Sequence, residues 1–337
     1  MKVLFIGPDS GTSAHRYRAF RRMGHFVRLI DPRRLLPTNS LIDRFEWKVH
    51  PAPLAALVRP NLLRALGNDD FDMAFVDGGS LVNLALIRDL QQRGIRVVNY
   101  NHDDPFGMRD GVRFSCYREA VSQYDVVVVV RHENVGEASA LGARNVLRTF
   151  RVADEVEHSP RDVPSDIRAN WSSEVAFIGT WMPERGPFLV RLLELGVPLS
   201  IFGGGWEKAP EWTRLRNVHR SWYLEGDDHR HAVQCTKICI GLLSAGNRDL
   251  HTTRSMEIPS LGSVLCAQRT TEHEELYVDG EEAVFWNDAD ECAQMCSELL
   301  RDARRREYIG RRGRERCLAN GHFTERLLQK IIDASGG

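Results

Sequence analysis

The segment 247–267, NRDLHTTRSMEIPSLGSVLCA, concentrates groups that could do chemistry. Asp249 and Glu257 bracket the start of a predicted helix, and His251, Thr252, Thr253 and Arg254 place donors in its first turn. An anion such as a diphosphate needs this arrangement, because the first amides of a helix lack intrahelical partners and the helix dipole is positive there. Glu257, about one turn in, is placed to accept from a ribose diol; a capping Asp followed by an ordinary surface Glu is the structural alternative. In YNHDDPFG, 100–107, His102 sits beside Asp103 and Asp104 in a turn fixed by Pro105. A His next to a carboxylate is the pairing that tunes a proton acceptor near neutrality, although Asp, Asn and Pro also build turns and caps with no further role. A metal held by Asp103 and Asp104 is the weaker reading, since no third ligand follows at a fixed offset.

Three glycine-bearing turns complete the set. GPDSGTSAHR, 7–16, suits close approach of a polar ligand to backbone amides; it lacks the G-x-G-x-x-G fingerprint, and a plain turn using Gly7 and Gly11 for positive φ is the alternative. FIGTWMPERGP, 177–187, puts Arg185 at a helix start six residues after Gly179, where a diphosphate would see a cation and unpaired amides. IFGGGWEK, 201–208, sets Gly203, Gly204 and Gly205 beside Trp206, an open backbone against an aromatic wall.

These turns need strands to carry them. Apolar runs predict strands at 3–6, 26–30, 73–77, 95–100 and 125–130, with helices at 13–24, 80–93 and 111–123. The second half repeats the pattern, with strands at 174–179, 198–203, 237–243, 263–267 and 282–286 and helices at 185–196, 228–236, 251–261, 288–304 and 304–319. Such alternation predicts an α/β protein of two Rossmann-like, doubly wound domains with parallel sheets, facing each other across a cleft at the carboxyl ends of their strands. The boundaries are 1–155, a charged and proline-bearing linker 156–172, then 173–320. A final amphipathic helix within 321–337, carrying Leu327, Leu328, Ile331 and Ile332, can pack back onto the first domain.

Composition narrows the function classes. The 337 residues carry a formal net charge of -1, yet the first 64 hold twelve lysines and arginines against four acidic residues. A phosphate-bearing acceptor or an anionic membrane face fits that excess better than nucleic acid, because no recognition motif accompanies the arginines; a solvated helix face is the bland alternative. The longest purely apolar run, 126–130, is far too short to span a bilayer, and MKVLFIGPDSG reads as a buried first strand rather than a signal. Seven cysteines, an odd number, predict a reducing cytoplasm. Cys235/Cys239 and Cys292/Cys296, each four apart, read as buried small hydrophobes rather than metal ligands.

With those residues in place, the chain resembles GT-B glycosyltransferases, and more narrowly the CgeB-like (spore maturation protein) branch related to glycosyltransferase family 4. The resemblance covers nearly the whole chain and is strongest from 174 to 320. Where family 4 carries I-G-R-L-x-x-x-K-G, this chain has Ile178, Gly179, Thr180 and Trp181, then Arg185 and Gly186. One of the two family cations is thus replaced by Thr180, and Arg254 is the candidate to supply it. The family's Glu-x7-Glu becomes Asp249 and Glu257. The CgeB-like R-x-x-E-I-P-x-x-G is matched by Arg254, Glu257, Ile258, Pro259 and Gly262, and its D-D-P by Asp103, Asp104 and Pro105.

The resemblance implies transfer of a sugar from a UDP-, GDP- or dTDP-linked donor to a hydroxyl acceptor, in glycan or glycoconjugate synthesis. Glu257 would hold the ribose, Trp222 and Tyr223 would flank the base, and 251–254 would take the diphosphate beside Thr180, Arg185 and Gly204. Asp249 would lie near the donor sugar. The first domain, through turns such as that at Gly11, would hold the acceptor, whether glycan, lipid-linked or small molecule. Neither a cofactor nor a metal is implied, because helix dipoles and cations stabilise a departing diphosphate. His102 or Asp103 would accept the proton of the acceptor in an inverting reaction; in a retaining one His102 would position the donor sugar. The rivals are a sugar-nucleotide 2-epimerase, a non-catalytic nucleotide or carbohydrate binder and, more distantly, a nicotinamide dehydrogenase lacking its fingerprint.

Overall fold

The computed structural model describes residues 1–37, 50–107, 109–224 and 226–336; Asp43, Arg44, Glu46 and Lys48 of the basic first quarter lie outside them. The chain divides into two compact units. One comprises Met1–Phe150, Gly246–Arg248 and Thr324–Gly337, the other Arg151–Ala245 and Asp249–Phe323. Among the described residues no helix is long and apolar enough to cross a membrane.

The first unit is built on six parallel strands, β1 (Lys2–Ile6), β2 (Phe26–Ile30), β3 (Met73–Asp77), β4 (Arg96–Asn101), β5 (Val126–Val129) and β6 (Val146–Arg148), in the order β2-β1-β3-β4-β5-β6. MAFVD and VVVV are buried at every position, as strands covered by helices on both faces must be. The covering helices are α1 (Gly11–Arg22), α2 (Ala52–Leu66), α3 (Leu84–Gln92), α4 (Ser115–Ala120) and α5 (His132–Ala140). The sequence reading omits α2 and α5. Pro60 inside α2 masks it, since proline ordinarily ends a helix; burial of Leu54, Val58, Leu62 and Leu66 in one stripe holds it together.

In the second unit, α6 (Ser165–Trp171) lies within the stretch read as linker. The sheet that follows joins β7 (Ser173–Ile178), β8 (Leu199–Phe202), β9 (His219–Ser221), β10 (Thr236–Gly241), β11 (Val264–Gln268) and β12 (Val284–Trp286), again all parallel, in the order β12-β11-β10-β7-β8-β9. Besides the single turn Trp212–Leu215, its helices are α7 (Arg185–Glu194), α8 (Asp228–Gln234), α9 (Arg254–Ser260), α10 (Thr271–Leu276), α11 (Ala289–Arg301) and α12 (Ala303–Asn320). In α12, Gly310 and Gly313 allow a close crossing, because a Cβ at either would collide with the carbonyl oxygen of Gly262 or Glu282.

The last helix, α13 (Thr324–Ala334), belongs to the first unit and packs on α1. Leu327, Leu328, Ile331 and Ile332 are all buried, and Arg22 Nε lies 2.6 Å from Glu325 Oε1. In each sheet the strand order reverses once, between β1 and β3 and between β7 and β10. Ligands of open α/β sheets bind beyond the carboxyl ends of strands at such points.

Candidate functional site

At the reversal in the first unit, a cavity of about 500 Å³ lies beyond β1 and β3. Asp77, which ends β3, meets Arg16 of α1, with Nε to Oδ2 at 2.9 Å and Nη2 to Oδ1 at 3.1 Å. Both residues are buried, and the guanidinium stands 4.6 Å over the Tyr100 ring. Burial would lower the pKa of Arg16, but Asp77 outweighs it and raises it. One wall of the cavity is the turn 7–13. Gly11 adopts φ 53° as expected, whereas Gly7 is not in the left-handed region. Gly7 is required by packing, since a Cβ there would stand 2.8 Å from Asp77 Cβ.

His102 and Asp103, just after β4, line the same cavity. The two side chains stand slightly apart, His102 Nε2 lying 3.8 Å from Asp103 Oδ1, beyond hydrogen-bond range. Asp103 Oδ2 faces Arg113 Nη1 at 3.2 Å instead. Asp104 is buried and accepts from Arg248 Nε at 2.6 Å, Arg248 Nη2 at 2.8 Å, Asn134 Nδ2 at 2.9 Å and the Gly107 amide at 3.0 Å. Burial would raise its pKa, but Arg248 and Asn134 hold it below the usual carboxylate range. The Asp103/Asp104 metal reading fails on this geometry, because one carboxylate is saturated by donors and the other faces an arginine.

In the second unit Arg185 turns inward. Its Nη1 donates to Thr180 O at 2.8 Å and its Nη2 to Leu243 O at 3.2 Å, so it ties the exposed turn after β7 to the end of β10 rather than presenting these donors to an anion. Gly203, at φ 126°, lets the turn after β8 close on the turn after β7; a Cβ would collide with Gly179 O. Gly204 O accepts from the Trp181 amide at 2.9 Å. Beyond β9, Trp222 and Tyr223 are 38% and 78% exposed, with the Trp222 ring 4.0 Å from His219 and 5.2 Å from Trp212.

Asp249 and His251 are both engaged by other residues of the second unit. The buried Asp249 carboxylate is taken by Arg151, at 3.1 Å and 3.3 Å. His251 does not point a donor outward: Nε2 accepts from the Arg151 amide at 2.9 Å, and Nδ1 therefore donates to Glu272. Burial lowers its pKa more than Glu272 raises it. Thr252 donates its amide to Ser255 Oγ at 3.0 Å, and half-buried Thr253 stands at the N-cap of α9 without a side-chain cap. Arg254 donates Nε to Ile178 O at 2.9 Å and pairs through Nη1 with Glu257, its side chain remaining 30% exposed.

Glu257 is buried between that arginine and two histidines, His158 Nε2 at 3.2 Å and His229 Nε2 at 3.5 Å. Burial would raise its carboxyl, but Arg254, His158 and His229 together hold it well below the usual range. The sequence reading missed His158, His229, Arg151 and Glu272. For His158 a signal exists in DEVEH: Asp154 Oδ1 accepts from the amides of Val156 and Glu157, a turn that delivers the ring four residues on.

Among the described residues, two groups bring three ligand atoms within 4.8 Å of one another: His158, His229 and Glu257, and Cys266, Cys292 and Cys296. The first fits a metal poorly. His158 Nδ1 accepts from the Asp154 amide at 2.8 Å, so Nε2 carries the proton and donates toward Glu257, and Arg254 already supplies a cation. The second lies in the apolar core.

A family model described as glycosyl transferase-like matches residues 185–333. No curated protein matches the sequence. Among solved structures, sucrose-phosphate synthase from Thermosynechococcus elongatus superposes with a TM-score of 0.70 at 11% identity, covering 99% of this chain and 98% of that one. HepE of Anabaena, solved in complex with UDP-glucose, gives 0.69 at 13% identity, covering 99% and 98%. A UDP-N-acetylglucosamine 2-epimerase gives 0.55 at 12% identity, covering 92% and 90%. The chain therefore has the GT-B fold, as the sequence resemblance implies, with a glycosyl transferase-like stretch that runs from the first residue of α7 almost to the end of α13.

Proposed function

We propose that the protein is a glycosyltransferase that moves a sugar from a nucleoside-diphosphate sugar to a hydroxyl acceptor, close to the CgeB-like branch and acting in glycan or glycoconjugate synthesis. The observation that carries the reading is the Arg254–Glu257 pair at the start of α9, inside the stretch that matches the glycosyl transferase-like model. Glu257, kept ionised by its three cationic or N–H neighbours, accepts from the ribose. The exposed part of Arg254, with Thr252 and Thr253, faces the diphosphate, and Trp222 and Tyr223 offer the base an aromatic surface. Arg185, Asp249 and His251 act by holding these turns in place. Departure of the diphosphate is assisted by Arg254 and backbone amides rather than by a metal. On the acceptor side, His102 is the proton acceptor in an inverting reaction, with Asp103 orienting Arg113.

Thermal unfolding with UDP, GDP, dTDP or ADP, with and without EDTA, tests this. One diphosphate at about 100 times its dissociation constant should add nearly 3 kcal/mol of stability, unchanged by EDTA. Glu257→Gln, verified as folded by circular dichroism, should lose that response. Silence toward every nucleotide would remove the donor site. Appearance of an epimerised sugar nucleotide with no acceptor present would instead favour the epimerase reading, to which the likeness of the 2-epimerase structure lends its support.

A further inference from the structure

We propose that Cys266, Cys292 and Cys296 form a three-sulfur site in the second unit for a trivalent, thiol-seeking oxyacid of the arsenite class. The site stands apart from the residues assigned to sugar transfer and does not depend on that reading.

Two of the donors share one face of a helix. Cys292 and Cys296 are four apart on α11, so their side chains lie one above the other, and both are buried. The third comes from the sheet beneath: Cys266 is in the middle of β11, in register with Ile240 of β10 and Val284 of β12. The three Sγ atoms lie within 4.8 Å of one another, each residue is fully buried, and none is in a disulfide. Cys235 and Cys239 have the same spacing in the chain, yet no third thiol joins them among the described residues. Packing of helix on sheet, rather than spacing, turns one pair into a triad.

Charge decides what such a site can hold. The core cluster around the triad is apolar, and a net charge left there would be costly. Structural zinc takes four ligands, and no fourth His, Cys, Asp or Glu joins the triad among the described residues; zinc on three thiolates would also leave one negative charge. Monovalent copper on three thiolates would leave two. A trivalent centre on three thiolates is neutral, and soft sulfur donors suit it. Arsenite enters as uncharged arsenous acid. Three S–H and three As–O bonds break, three As–S bonds form, and each thiol proton leaves with one hydroxide as water. Arsenic stays trivalent, so no oxidant or reductant is consumed. A cavity of about 200 Å³ beside exposed Glu298 and Arg305 reaches Val284, the register partner of Cys266, and Leu299, three residues after Cys296. It brings solvent next to the triad, and occupation would tie β11 to α11.

Titration of the reduced full chain with sodium arsenite, followed by native mass spectrometry and by X-ray absorption at the arsenic edge, reads the site. The expected product is one arsenic per chain in place of three hydrogens, in a shell of three sulfurs. Cys266→Ala and Cys296→Ala, each verified as folded by circular dichroism, should bind at least about tenfold more weakly and show oxygen in place of one sulfur. The double variant Cys235→Ala/Cys239→Ala, which removes the other pair of that spacing, should bind as the wild type does. Hydrogen exchange of the wild type needs no variant and should slow in β11 and α11 when arsenite is bound. Absence of arsenite binding by the folded chain, a three-sulfur shell that survives Cys266→Ala, binding lost with Cys235 and Cys239, or exchange unchanged in β11 and α11 would each overturn the proposal.

Discussion

His273 shows how much of the architecture at the start of α9 rests on a neutral ring. Its Nδ1 donates to Gln268 O at 2.6 Å and its Nε2 accepts from Ser255 Oγ at 2.8 Å, while Ser255 in turn accepts from the Thr252 amide. Burial pushes its pKa down to about 4. Between that value and roughly 6.5, where an unfolded histidine titrates, the unfolded chain binds the extra proton. Stability should therefore be flat above about pH 7 and fall as pH drops from 6.5 toward 4, by up to about 3 kcal/mol from this residue. Urea unfolding at a series of pH values measures the slope. His273→Gln should reduce it, leaving the part due to His251, whose pKa burial also lowers; an unchanged slope would refute the assignment.

Among the elements, the connections after the strands decide the chemistry, and the three consecutive glycines after β8 are not equivalent. Gly203 needs its left-handed backbone and its missing Cβ, whereas Gly204 lies outside that region and a Cβ there would sit in ordinary contact, 3.4 Å from Trp222 O. Gly203→Ala should cost about 1–3 kcal/mol through strain and part the turn after β8 from the turn after β7 that carries Thr180. Gly204→Ala should stay within about 0.5 kcal/mol of the wild type. Denaturant unfolding of the pair checks this; equal losses would mean that the close approach of the two turns is unimportant.

Over the whole molecule, chain order and spatial order part company. The last helix completes the first unit, so a change near the C-terminus should be felt near the N-terminus. Leu328→Ala, at a fully buried position, should cost about 2–5 kcal/mol and raise hydrogen exchange in α1, read by mass spectrometry; α1 protection equal to the wild type would contradict that packing. The same pairing across distance answers much of the basic first quarter. Arg16, Arg22, Arg28 and Arg59 meet Asp77, Glu325, Asp69 and Asp89, so the linear charge count overstates the positive field available to an anionic surface.

The strands Phe26–Ile30 and Met73–Asp77 are legible residue for residue in the sequence; Met73–Asp77 is buried throughout, as a strand covered on both faces must be, whereas the edge strand Phe26–Ile30 is marked by its β-prone residues alone. The GT-B architecture follows from that alternation and from the motif resemblance. Helix α2 is hidden by an internal proline, and β9, three residues long at a sheet edge, is too short to leave a period. At the site, Arg254 and Glu257 stand out in the sequence through their spacing on one helical turn. Which way a charged group faces is a different matter. Arg185 bonds carbonyls up to 58 residues away, His251 an amide 100 residues away, and Glu257 a histidine from the stretch read as linker. Local sequence encodes periodicity and composition, which suffice for strands and helix starts. The partner that turns a side chain inward or leaves it open to a ligand is supplied by tertiary packing between distant segments.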